Sequence, residues 1–550
     1  MLLTISSLNK VHFKLMAADF KIIPYSKGRV QLTSPDEELL KEAGVLFSYQ
    51  KKVYGGWATD YDLSGTGIYS CFSPSYSFKT GLTLEVASIL TKHGYKVVID
   101  KELKQQVKPE CHFVSEELIQ PHADFTYRDY QERAIKNVQA KGRGLLDSPT
   151  SSGKSLILYG ICSNIKEYSE RTLIIVPRTQ LVGQFYKEWK TEYGFNDVSM
   201  YSKKNPVLDE KAKVVITNYQ WLVKGTTNKF ESTRANEILK KGKFKAIIVD
   251  EAHSIGDAGS WISKFINKFS TPYKLGCTGT IPDEKSKYWN VVGTIGPVIF
   301  KEETVNLQNR NQIAKIKIFP FEITHNTRKR SEIPFYRDKY GTYRDSITNE
   351  PYNDGKGLYE AEYKFLEKHN GANNIILDII ESLQGNSIVL VEHKEHIKYL
   401  YDNCKIENKF MITGDTNVDY RLEVSKVIDA CKNCQDKQFV IFGISGCIST
   451  GISIKNLQNV VFCCGGKSLV KVCQSIGRVV RKLEADGVEE TYNVIDIYHN
   501  LLFSKKHYES RCKIYKTRFN KMPKIYKHIM VAEDTQNEVR DVNYKELNEL

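Results

Sequence analysis

The run Ser148-Pro-Thr-Ser-Ser-Gly-Lys-Ser155 constrains the fold of this chain most, because of what flanks it. It follows the apolar Gly144-Leu-Leu and opens a helix-like segment, Leu156-Ile-Leu-Tyr-Gly-Ile-Cys, giving the strand, loop and helix that a phosphate-binding loop requires. Backbone N–H groups of such a loop point at phosphates, Lys154 sets a cation on the β and γ oxygens, and the Ser155 hydroxyl can ligate Mg²⁺. Thr150, Ser151, Ser152 and Gly153 complete the nucleotide-binding candidates. The general pattern G-x-x-x-x-G-K-[ST] has Gly where this chain has Ser148. Either Ser148 takes a conformation that a side chain permits, or the loop is shaped differently.

A second run, Val249-Asp-Glu-Ala-His253, ends the apolar stretch Ala246-Ile-Ile-Val-Asp250, which reads as a buried parallel strand. Its carboxylates then emerge at the C-terminal edge of the sheet, where ligands of open α/β sheets bind. Asp250 would hold Mg²⁺ and Glu251 would orient or deprotonate an attacking water, with His253 beside them. An acidic strand end alone would mean little, but with Lys154 upstream the two runs imply a site that binds and cleaves a nucleoside triphosphate.

At 550 residues the chain is too long for one core. We expect a small α/β domain over 1–120, a first nucleotide-binding domain over 121–303, a second α/β domain over 304–500 and a basic helical tail over 501–550 ending in an acidic segment. The middle domains are argued from apolar runs alternating with helical patterns. Thr172-Leu-Ile-Ile-Val, Val214-Val-Ile-Thr and Ala246-Ile-Ile-Val belong to the first, and Ser387-Ile-Val-Leu-Val, Gln438-Phe-Val-Ile-Phe and Asn459-Val-Val-Phe-Cys to the second. A segment near 327–370, rich at its start in Arg, Tyr, Asp and Gly with little periodicity, reads as an insertion in the second. The N-terminal domain begins near Asp19.

A net charge of +14 suggests an anionic partner, nucleic acid foremost. No apolar run is long enough to span a membrane and no signal-peptide pattern opens the chain, so a cytoplasmic protein is expected. The twelve cysteines are scattered, as reduced thiols would be, and Cys431 and Cys434 lack the second ligand pair that a zinc site needs. Two segments could carry nucleic-acid contacts outside the central domains. Lys51, Lys52, Lys79, Lys92 and Lys96 stand amid Tyr49, Tyr54, Trp57, Tyr61 and Tyr69, and nine Lys or Arg face a single Glu between Leu501 and His528. Both also fit an ordinary solvated face over a packed interior.

Something on the second sheet should complete the triphosphate site. Gln474-Ser-Ile-Gly-Arg-Val-Val-Arg481 follows a buried strand, and Arg478 and Arg481, three apart on one helical face, could reach the γ-phosphate.

With these motifs in order, the chain resembles the superfamily-two helicases over roughly residues 127–482. Tyr127-Arg-Asp-Tyr-Gln131 matches the adenine-reading element, with Gln131 its glutamine. Pro177, Arg178 and Gln184 fall in the first strand-contacting motif and Thr217 where the second lies. Thr278-Gly-Thr280 matches the element that couples hydrolysis to movement, and both threonines are counted with the nucleic-acid contacts. Ser449-Thr-Gly-Ile-Ser453 matches the fifth motif, giving Thr450 to the strand and Gly451 to the nucleotide, though Ser453 stands where Asp is frequent. The sixth motif is the run from Gln474 to Arg481. Ile448 to Leu457, Gly466-Lys-Ser and Gln474 to Lys482 look most like the recombination helicases of T-even phages and related viral enzymes.

The resemblance implies two RecA-like parallel-sheet motor domains in tandem behind a small α/β domain, using ATP and Mg²⁺. It also implies a DNA helicase or translocase moving 3′ to 5′ that unwinds or branch-migrates forked and recombination intermediates. DNA with branches or single-stranded regions is the expected partner, and single-strand-binding or recombination proteins are further candidates. The residues leave open an RNA helicase, a duplex translocase that does not separate strands, and a non-catalytic binding module, the last opposed by Lys154, Asp250, Glu251 and both arginines.

Overall fold

A computed structural model describes residues 18–50, 68–122, 125–223, 233–257, 260–329, 333–430, 438–444, 454, 456–463, 468, 472–473, 475–477 and 491–531. The chain falls into two compact units, residues 1–148 with 153–302 and residues 149–152 with 303–550.

The first unit begins with strands β1 (Phe20–Ser26), β2 (Arg29–Thr33), β3 (Ser48–Gln50), β4 (Ile68–Ser70), β5 (Ser77–Lys79) and β6 (Val97–Ile99). Four of them form a mixed sheet in the order β5-β2-β1-β6, and β3 pairs with β4 in a separate ribbon. Alternation in β2, with Val30 and Leu32 inward, and the amphipathic Thr83–Lys92 helix give this sheet one apolar face. That core is continuous with the core of the next sheet. The join is tight at Gly81, where a Cβ would stand 2.7 Å from the Gly293 carbonyl oxygen. Lys79, one of the lysines that fit either a nucleic-acid surface or an ordinary sheet face, donates to Asn290 Oδ1 at 2.8 Å and Ser263 Oγ at 3.3 Å. It belongs to the seam within the unit, while Lys92 and Lys96 are exposed and Lys51, Lys52, Tyr54, Trp57 and Tyr61 lie outside the described residues.

The large sheet of the first unit contains β7 (Gly144–Asp147), β8 (Thr172–Val176), β9 (Val198–Tyr201), β10 (Val214–Asn218), β11 (Ala246–Asp250), β12 (Tyr273–Thr278) and β13 (Val298–Lys301). Its order is β13-β7-β12-β11-β8-β10-β9, and each pair is parallel. Strands β7, β8, β10 and β11 are buried along their whole length, as continuous apolar runs covered on both faces require. Register sets Thr278 opposite Asp147 and Asp250 opposite Cys277, so the ends of three neighbouring strands arrive at one level of the C-terminal edge.

The second unit holds β14 (Lys315–Thr324), a hairpin of β15 (Phe335–Arg337) and β16 (Tyr343–Asp345), then β17 (Ser387–Val391), β18 (Lys409–Ile412), β19 (Val440–Ile444), β20 (Asn459–Cys463), β21 (Thr491–His499) and β22 (Lys527–Met530). Seven of them make a second parallel sheet in the order β18-β19-β17-β20-β21-β14-β22. Two seven-stranded parallel sheets and a small α/β N-terminal region are the RecA-like architecture that the motifs imply.

The basic Leu502–Phe519 helix packs on this second sheet by its aromatic face. Tyr508 stacks on Tyr498 with ring centroids 3.9 Å apart, and fully buried Arg511 forms an ion pair with fully buried Asp496 at 2.6 Å. Lys505, Lys506, Lys513 and Lys516 occupy the opposite, exposed face. The packed reading therefore holds for its inner face, and a basic surface remains outside.

Candidate active site

Strand β7 delivers the phosphate-binding loop. Ser148 is fully buried, donates its backbone N–H to Thr278 O at 2.9 Å, and has no positive φ, so this position makes no demand for glycine. The left-handed residues of the loop are Ser151 and Gly153, at φ 67° and 73°. Gly153 meets its requirement for another reason as well, because a Cβ there would lie 2.6 Å from Gln131 Nε2. Gln131 lies in the first turn of the Asp129–Lys141 helix, where its Oε1 accepts the Arg128 backbone N–H at 2.9 Å. That bond aims the amide nitrogen of the adenine-reading candidate toward the loop. Ser152 is buried and its hydroxyl donates to Pro149 O at 2.7 Å, stiffening the loop, while Thr150 and Ser151 are half-buried.

Lys154 opens the next helix, and its Nζ stands 3.8 Å from Glu251 Oε1. Burial lowers the Lys154 pKa, but Glu251, Cys277, Asp250 and Asp147 outweigh it, and the net direction is upward. The amine therefore stays cationic. Asp250 is moved the other way from its ordinary range, up to about 7, by burial and by the adjacent Glu251 carboxylate. Its Oδ1 is buried without a hydrogen-bond partner, a costly state that a cation would relieve. Asp250 thus fits a divalent metal. The Ser155 oxygen accepts Trp189 Nε1–H at 3.2 Å and keeps a further lone pair that fits the same ion.

Glu251 turns into left-handed backbone at φ 50° directly after β11. Its two carboxylate oxygens face different partners, Oε1 toward Lys154 and Oε2 toward His253 Nδ1 at 3.2 Å. His253 Nδ1 also lies 3.0 Å from Thr278 Oγ1 and 3.5 Å from Thr280 Oγ1. A continuous polar chain therefore runs from the lysine of the loop through Glu251 and His253 to the end of β12. Thr278 and Thr280, counted in sequence with the nucleic-acid contacts, are both buried, and their hydroxyls face His253.

The strand-contact candidates divide by exposure. Pro177 and Arg178 are half-buried at the end of β8, and Gln184 is exposed on the Thr179–Lys187 helix, bonded to Glu188 at 2.7 Å. Thr217 is fully enclosed at the end of β10 and its hydroxyl has no partner, so this state offers no surface there to a strand. Thr450, Gly451, Gln474, Arg478 and Arg481 lie outside the described residues, as do Cys431 and Cys434. Among the described residues no cluster of His, Cys, Asp and Glu is arranged to hold a metal by itself, and no helix is long and apolar enough to cross a membrane.

Trp189 is the site residue that the motifs do not reveal. It is fully buried in the short π-helical turn Glu188–Glu192 that extends the Thr179–Lys187 helix, and it packs edge-on against Tyr159 and Phe195. Helices that bear a strand-contact candidate and the phosphate-binding loop are thereby joined through its indole.

The same residues are matched from outside. The family model for the res subunit of type III restriction enzymes covers residues 124–283, from the adenine-reading element to Thr280. The ATP-dependent DNA helicase UvsW of Enterobacteria phage T4 is 26% identical over 440 residues, 76% of this chain and 78% of that protein. The DNA 3'-5' translocase XPB2 of Sulfurisphaera tokodaii is 24% identical over 385 residues, 66% of this chain and 80% of its own length. The chain is thus similar to proteins named as an ATP-dependent DNA helicase and as a DNA translocase. A solved DNA-bound structure of LlaBIII, an ATP-dependent type ISP restriction-modification enzyme, is 16% identical with a TM-score of 0.50, covering 81% of this chain and 34% of that one, and shares the fold. This chain is an ATP-hydrolysing enzyme of the helicase and translocase class.

Proposed function

We propose that this enzyme is a DNA helicase or translocase that moves 3′ to 5′ and unwinds or branch-migrates forked and recombination intermediates. The observation that carries the reading is the chain from Lys154 through Glu251 and His253 to Thr278, because it joins the triphosphate site to the element expected to couple hydrolysis to movement. Its relatives are named a DNA helicase and a DNA translocase, and the basic balance of the sequence suits a polyanion.

Gln131 reads the adenine and loop N–H groups with Lys154 hold the β- and γ-phosphates. Mg²⁺, held by Asp250 and Ser155, would draw charge from the phosphate oxygens. Glu251 orients a water for attack on the γ-phosphorus and takes its proton as the bond to the β-phosphate oxygen breaks, leaving ADP and phosphate. Gln474, Arg478 and Arg481 act on the γ-phosphate, with Gly451 close to the nucleotide. Loss of that phosphate removes charge facing Lys154, and the Glu251–His253–Thr278 contacts relay the change. Arg178, Gln184 and Thr450 grip backbone phosphates, which makes binding tolerant of sequence and sensitive to salt.

Lys154→Ala and Glu251→Gln should abolish hydrolysis while retaining DNA binding. Either variant hydrolysing ATP at the parental rate removes the site assignment. ATP-dependent processing of forked, four-way and linear substrates, in DNA and RNA versions, tests the rest. Equal action on all DNA forms removes the branch preference, and stronger action on RNA removes DNA as the substrate.

A further inference from the structure

The β15–β16 hairpin forms a two-stranded sheet of its own, outside both large sheets. Its five-residue tip, Asp338 to Thr342, is closed by Asp338 N donating to Thr342 O at 2.9 Å and Gly341 N to Asp338 O at 3.0 Å. Gly341 takes φ +86°, the left-handed position that ends such a turn. The Asp338 carboxylate then locks the tip, accepting the backbone N–H of Tyr340 and of Thr342, each at 2.9 Å, and Arg344 Nε at 2.8 Å. Arg337 Nε donates to Gly341 O at 2.9 Å from the other strand. The base is equally fixed, since Phe335 is buried edge-on against Tyr343 and Tyr352, whose hydroxyl donates to Asp345 Oδ2 at 2.7 Å.

This bracing holds one large aromatic in solvent. Tyr340, at the apex, is 80% exposed, with Lys339 Nζ 5.0 Å from its ring centroid. A single exposed tyrosine is ordinary on any surface. A tyrosine fixed at the tip of a hydrogen-bonded turn is different, because its ring loses little further freedom when it stacks. The surroundings select the partner. Residues 328–345 carry six Lys or Arg against three acidic residues, and two of the cations on this hairpin are exposed: Lys339 next to Tyr340 in sequence and Arg337, whose guanidinium lies 5.8 Å from the Tyr343 ring centroid. Aromatic rings interleaved with cations are the chemistry of single-stranded nucleic acid, with bases on the ring and phosphates on the cations.

We propose that Tyr340 stacks on an unpaired nucleobase while Arg337 and Lys339 take the flanking phosphates. The contact rests on the nucleic-acid reading above and adds to it a point on the inserted segment that meets a base. It is tolerant of sequence, since every base offers a face, and it needs the aromatic ring rather than the hydroxyl.

The test uses the full chain and a DNA single strand carrying 2-aminopurine, whose fluorescence falls when the base stacks. The parental protein should quench it, and Tyr340→Ala should lose the quench and bind at least about five-fold more weakly. Tyr340→Phe and Tyr340→Trp should keep both, and unchanged thermal melting in all three would show that the fold is intact. Parental quench and affinity in Tyr340→Ala, or a loss in Tyr340→Phe equal to that in Tyr340→Ala, overturns the stacking contact. A parental protein that binds neither DNA nor RNA single strands overturns the proposed function and this contact with it.

Discussion

Glu251 shows how one residue serves two neighbours: its left-handed backbone costs on the order of 1 kcal/mol, yet it lets one carboxylate face Lys154 and His253 together. Trp189 plays the corresponding part on the other side of the loop, as its indole N–H donates to the Ser155 hydroxyl oxygen. Trp189→Phe keeps most of the buried ring and removes that donor. We expect a roughly two- to ten-fold rise in the Mg²⁺ concentration that half-saturates ATP hydrolysis, the equivalent of one ordinary hydrogen bond. A Mg²⁺ titration checks this, and an unchanged midpoint would make Trp189 a packing residue only. Lys154 and Asp250 are legible in sequence because each sits in a local run whose spacing is the chemistry. The bond from Trp189 to Ser155 spans 34 residues and depends on how two helices meet, so no local pattern encodes it.

Elements differ in the same way. Uninterrupted apolar runs such as Thr172-Leu-Ile-Ile-Val announce strands covered on both faces, and both large sheets are legible from them. The β3–β4 ribbon and the β15–β16 hairpin are only three residues a strand, too short for periodicity to speak, although Asp338-Lys-Tyr-Gly341 carries turn chemistry that marks the second. The place of Lys79 is illegible for a related reason: composition records a lysine among aromatics but not the Asn290 and Ser263 acceptors that hold it. The seam it belongs to makes its own prediction. In Gly81→Ala the new Cβ would meet the Gly293 carbonyl oxygen at 2.7 Å and the Val292 oxygen closer still, and backbone cannot step aside as a side chain can. We expect a destabilisation of about 1–3 kcal/mol, seen as a lower thermal midpoint and earlier proteolytic cleavage between the small sheet and the Lys285–Thr294 helix.

Across the whole chain, two residue types divide unevenly between the units, and that makes the units separately observable. All five tryptophans, at 57, 189, 221, 261 and 289, belong to the first unit. The buried histidines belong to the second: among the described residues, His325, His396 and His499 are each 2% exposed or less. Burial lowers the pKa of His325 and His396 to about 4, aided by His369 and His393 respectively, and holds that of His499 well below its ordinary range, with His325, His396 and His369 adding to it. His325 Nε2 and His499 Nδ1 share a hydrogen bond of 2.9 Å, which requires at least one of the two nitrogens to be unprotonated. The unfolded chain takes up these protons near pH 6.5, whereas the folded unit resists them until about pH 4. Between those values the unfolded state binds more protons, so stability falls as pH falls, by on the order of 3 kcal/mol for His396 alone. The second unit should therefore lose structure first as pH is lowered from 6.5 toward 4. Far-UV circular dichroism, which sees both units, should decline while tryptophan emission, which sees the first, still holds its native position. Coincident transitions in the two signals would mean that the histidines do not set the acid limit of this enzyme.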